Sequence, residues 1–135
     1  MRLHRRLELQ SSWDHLDRVV EETEAFLLPL GLDEELAYNI VMLTTEAVTN
    51  AIEHGNAMDD TKTVVIVFEA NEVGVRVTVE DEGEGFTSSD IPDPLAQENL
   101  LAEGGRGIFL MRELADEITY EKGGRAIVMR FHTPL

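Results

Sequence analysis

Glu46-Ala47-Val48-Thr49-Asn50-Ala51-Ile52-Glu53-His54 is the stretch around which the rest of the chain can be ordered. Glu46, Asn50 and His54 recur at i, i+4 and i+8, so on a helix they share one face and drift by about 40° per step. The helix that carries them starts at Asp33, an N-cap followed by Glu34 and Glu35 in the favourable first turn, and runs to about Gly55. Its apolar stripe is Leu36, Ile40, Leu43, Ala47 and Ala51. An asparagine amide oxygen is a neutral hard ligand that suits a Mg²⁺ keeping most of its waters and bridging phosphates. A glutamate one turn away can orient an attacking hydroxyl or take its proton. A merely solvated polar face has the same spacing, and His54 beside a helix C-terminus can simply complement the dipole.

Upstream, Leu3, Leu7 and Leu9 around Arg5 give a short, imperfectly alternating strand. Ser12 then caps a helix with Trp13, Leu16, Val19, Val20, Phe26 and Leu30 at helical spacing, and Gly31 stops it. Downstream, the β-branched run Thr63 to Phe68, the turn Asn71-Glu72-Val73-Gly74 and the alternating Val75-Arg76-Val77-Thr78-Val79 form a hairpin. Residues 87 to about 104 are long for a plain connection and read as a lid. Ile108 to Ala115 reads as a helix, and Ile118-Thr119-Tyr120 with Ala126 to Phe131 as a last hairpin turning at Gly123-Gly124. This order predicts one α+β domain over residues 1–135. It is a two-layer α/β sandwich whose mixed, mostly antiparallel sheet is covered on one face by helices.

Two glycine clusters lie on this frame. Asp81-Glu82-Gly83-Glu84-Gly85-Phe86 follows directly on an alternating strand. Glycines spaced by one residue let backbone approach a flat ligand, and a carboxylate at a strand end can accept from an exocyclic amine such as that of adenine. An acidic hairpin turn would read alike. Gly104-Gly105-Arg106-Gly107-Ile108 opens a helix, where exposed N–H groups, the helix dipole and Arg106 can hold phosphate. A lid hinge ahead of a capped helix is the bland alternative. No Gly-Lys-Ser/Thr follows, so this is not a P-loop.

Composition narrows the choice. The chain has 135 residues, 43% of them hydrophobic, which is rich enough for one packed core. It has no Cys, which removes disulfides, thiolate metal sites and a Cys nucleophile and accords with a cytoplasmic protein. With 11 Lys and Arg against 27 Asp and Glu, the formal charge is −16, which argues against direct nucleic-acid or anionic-lipid binding. No apolar run reaches membrane-spanning length, and the basic start Met1 to Arg6 leads into Leu7-Glu8-Leu9-Gln10 rather than a signal core. A nucleotide can still be held, because local donors outweigh a field screened over about 8 Å.

Together the three clusters resemble the boxes of the histidine-kinase-like (Bergerat-fold) ATPase superfamily. Glu46 to His54 is similar to its N box, Asp81 to Phe86 to its first glycine box, and Gly105-Arg106-Gly107-Ile108-Phe109-Leu110-Met111 to its second. The short length, the stretch Ile91-Pro92-Asp93-Pro94 to Leu101, and Ala115-Asp116-Glu117-Ile118 most resemble the bacterial anti-sigma-factor serine/threonine kinases. The likeness runs from about Leu7 to Phe131. It implies ATP and Mg²⁺ as cofactors, Asn50 as the Mg²⁺ ligand, and Glu46 as the base or orienting carboxylate. It also implies Asp81 as acceptor for the adenine amine, Gly83 and Gly85 beside the base, and Gly105, Arg106 and Gly107 at the phosphates. The implied activity is phosphorylation of a STAS-type anti-anti-sigma factor by a homodimeric protein that also binds a sigma factor. A non-catalytic module that sequesters a sigma factor or another regulator is the alternative. Many relatives carry Gly-Thr entering the last strand, where this chain has Arg125-Ala126, and Arg130 stands in place of a usual Lys.

Overall fold

The computed structural model describes residues 2–83 and 111–135. Five strands form one sheet in the order β1-β2-β3-β5-β4. They are β1 (Leu3–Gln10), β2 (Thr63–Ala70), β3 (Gly74–Glu80), β4 (Glu117–Glu121) and β5 (Ala126–His132). Among the described residues every strand pairing is antiparallel. Two helices, α1 (Leu16–Leu27) and α2 (Glu34–Asn50), pack on each other and cover one face. The α+β sandwich expected from the sequence is therefore the fold.

The period-2 pattern decides which face is covered. In β2 the side chains of Val64, Ile66, Phe68 and Ala70 are buried while those between them are partly exposed. Register aligns Phe68 with Val77 and Val77 with Met129, so the apolar rows run across the sheet under the helices. Phe26 of α1 stacks on Phe68 with ring centroids 5.4 Å apart, which ties the helical layer to the sheet centre. Arg5 explains the imperfect alternation of β1. It pairs with Phe68 in register, on the covered face, and meets the Glu22 carboxylate on α1 at this edge of the sheet.

Local chemistry sets the ends. The Ser12 hydroxyl accepts from Asp14 N at 3.2 Å and the Asp33 carboxylate from Glu35 N at 3.2 Å, so both expected N-caps are in place. Gly31 takes φ +64° after the 3-10 turn Leu28–Leu30, a conformation that ends the helix at low cost only for glycine. Trp13 departs from the expected apolar stripe. It lies in a 3-10 turn ahead of α1 and is 51% exposed, because the tighter turn swings it off the α-helical face.

The expected lid over residues 87–104 lies outside the described residues. Of the helix expected over Ile108 to Ala115, residues 111–114 are helical. Met111, the last residue of the second glycine cluster, is fully buried in the core.

Candidate nucleotide site

The site is built on the far end of α2. Glu46 and Asn50 are both partly buried there, one helical turn apart. Beyond Asn50 the helix widens into a π turn, Ala51–Gly55, closed by Asn56 N donating to Ala51 O at 2.7 Å. Such turns alter the side-chain phase and recur at functional positions. His54, expected on the same face as Glu46 and Asn50, faces solvent, with Nε2 3.8 Å from the Glu53 carboxylate.

The π turn meets Asp81 and Gly83 of the first glycine cluster through Gly55. Asp81 follows the last residue of β3, and its N–H donates to the Arg125 carbonyl at 2.8 Å. Its side chain lies directly on Gly55, where an added Cβ would overlap the carboxyl group. Gly83 is buried just behind, where an added Cβ would overlap the Gly55 carbonyl oxygen. The helix carrying Asn50 and the turn carrying Asp81 and Gly83 are thus in contact through two glycines. Gly85, Gly105, Arg106 and Gly107 lie outside the described residues.

Burial pushes the Asp81 carboxyl above the ordinary aspartate range. The hydrogen bond from Gly83 N (2.8 Å), then the charge of Arg125, pull it back part of the way. The native state therefore binds this proton more tightly than the unfolded chain. The group favours the fold below the unfolded aspartate range, and that preference is lost as pH rises through the higher native value. In the nucleotide-free protein, carboxyl-detected NMR should find Asp81 titrating above an unfolded-peptide aspartate. A value at or below that reference would remove desolvation as the dominant influence on the site.

Asn50 is the one residue of the proposed metal set with a neutral oxygen. Among the described residues no group of three or more His, Cys, Asp or Glu side chains could hold a metal ion alone. An amide oxygen is a donor that suits a Mg²⁺ that arrives with phosphates and retains most of its waters.

The chain matches the family model of the histidine kinase-like ATPase domain over residues 9–131. It belongs to this family. The serine-protein kinases RsbW of Staphylococcus aureus strains JH9, Newman and JH1 are each 37% identical to it over 93 residues. That stretch covers 63% of this chain and 58% of each relative. None of the described helices is long and apolar enough to cross a membrane.

Gly55, Thr63 and Glu82 enter the sequence pattern only as a helix end, a strand start and part of a turn, and Asn56 not at all, so none of the four had a site role. Gly55 directly after His54, followed by the polar Asn56 where the helix ends, was the available signal.

Proposed function

We propose that the protein is an ATP-dependent serine/threonine protein kinase acting as an anti-sigma regulatory factor. Its substrate is a STAS-type anti-anti-sigma factor in a partner-switching pathway. The observation that carries this reading is the junction at Gly55, where a partly buried carboxylate on the Asp81 turn is held against the helix bearing Glu46 and Asn50. The name serine-protein kinase, borne by the relatives in Staphylococcus aureus, supports the chemistry. The resemblance to anti-sigma-factor kinases supplies the two partners. Homodimerisation, Mg²⁺ dependence and a cytoplasmic location belong to the same proposal and rest on that resemblance.

In this mechanism Asp81 accepts from the adenine amine and fixes the base. Gly83 and Gly85 leave room for it. The phosphate role falls to Gly105, Arg106 and Gly107, whose residue types supply backbone N–H groups and a guanidinium to stabilise negative charge. Asn50 would hold Mg²⁺, which when bound neutralises phosphate charge and fixes the phosphate geometry. Glu46 orients the substrate hydroxyl and takes its proton as the hydroxyl oxygen bonds to the γ-phosphorus and the bond to the β-phosphate oxygen breaks. Positioning and charge stabilisation account for most of such catalysis.

Incubating the protein with γ-labelled ATP, Mg²⁺ and a purified STAS-domain protein is expected to label a serine or threonine of that protein. A stable complex that yields no phosphoprotein would overturn the kinase assignment and favour sequestration without turnover.

A further inference from the structure

Four hydrogen bonds that use side chains close a ring around the turn that carries Asp81. The fully buried Asn56 accepts from Glu82 N through Oδ1 at 2.8 Å and donates from Nδ2 to the Thr63 carbonyl at 3.0 Å. The Glu82 carboxylate completes the ring, accepting from Thr63 N at 2.5 Å and from Thr63 Oγ1 at 3.1 Å. Three separate pieces of chain meet here: the residue after the π turn, the first residue of β2, and the residue between Asp81 and Gly83. The chain between the first two is itself strained, since Ala57 and Met58 take positive φ of 51° and 63°.

We infer that Asn56 and Glu82 are positioning residues that set the base selectivity of the nucleotide site by fixing where the Asp81 carboxylate points. The inference rests on the nucleotide-site reading of Asp81. Both residues act through the backbone of Glu82, one peptide from Asp81, and neither needs to touch the ligand. A buried amide with both ends satisfied holds one geometry, because any rotation would leave a donor or acceptor unpaired. A carboxylate held in this way discriminates between bases. It accepts from the 6-amino group of adenine, whereas the 6-oxo group of hypoxanthine presents it with another acceptor.

The test compares ATP with inosine triphosphate, both with Mg²⁺, by calorimetry on the full chain. Wild type is expected to prefer ATP. Asn56→Ala and Glu82→Ala should weaken ATP by about tenfold, the size of one hydrogen bond to a charged group, and leave inosine triphosphate unchanged. Glu82→Gln keeps an oxygen to accept from Thr63 and should keep the preference. Asn56 is buried, so Asn56→Ala is read only if its unfolding transition stays cooperative, and the exposed Glu82 supplies the second variant. A folded Glu82→Ala protein with the wild-type preference overturns the positioning role while leaving Asp81 as the base contact. Loss of the preference in Glu82→Gln as complete as in Glu82→Ala overturns the hydrogen-bonding account. A wild-type protein that binds both nucleotides equally well overturns the nucleotide-site reading of Asp81, and this inference falls with it.

Discussion

On the proposed kinase mechanism, Glu46→Gln is expected to reduce phosphoryl transfer to the protein substrate by about 10²–10⁴-fold, the usual worth of a positioned general base. Nucleotide affinity should stay close to that of wild type. The change is nearly isosteric on a partly buried helix position and leaves α2 and its neighbour Asn50 as they were. What disappears is basicity, which matters only as the hydroxyl proton leaves. A loss in the transfer step with unchanged ATP binding is the signature of an interaction made in the transition state. Single-turnover transfer at saturating ATP and Mg²⁺ is the measurement. Equal rates for wild type and variant remove Glu46 from the chemistry, and a matching loss of ATP affinity would make it a binding residue instead.

The contrast between the regular helix α2 and the π turn that follows it shows how far the sequence could be read. Ile40, Leu43, Ala47 and Ala51 are buried as the 3.6-residue period requires, and the capping residues are where their chemistry puts them. The strands were legible for the same reason, since alternation in β2 and β3 places every second side chain under the helices. Both signals are local. The π turn is not, because nothing in Ala51-Ile52-Glu53-His54-Gly55 announces an i→i+5 bond. The ring of Asn56, Thr63 and Glu82 joins residues up to 26 positions apart, as between Asn56 and Glu82. Such a contact comes from closure of the sheet against the helix and leaves no periodic trace. The sequence reading explains Gly83 by room for the base, and packing adds a second reason. Gly83 is a glycine because the Gly55 carbonyl occupies the space a side chain would need.

That packing separates two glycine variants that sequence alone would treat alike. In Gly55→Ala the atoms nearest the new methyl belong to the side chain of Asp81, which can swing aside. The helical preference of alanine, about 0.5–1 kcal/mol, offsets part of the cost. Stability should change little. ATP affinity should fall by about tenfold or more, because the displaced carboxylate loses a charged hydrogen bond. In Gly83→Ala the methyl meets the Gly55 backbone carbonyl, which cannot rotate away. Backbone must shift in a buried place, and overpacking of this kind costs about 1–3 kcal/mol. The shift also drags the Asp81 turn away from α2, so Gly83→Ala should lose both stability and ATP binding. Denaturant unfolding and calorimetry on the two proteins separate the effects. A Gly55→Ala protein that binds ATP like wild type would mean that the carboxylate does its work from another position. The junction between helix and turn would then lose its place in the nucleotide site.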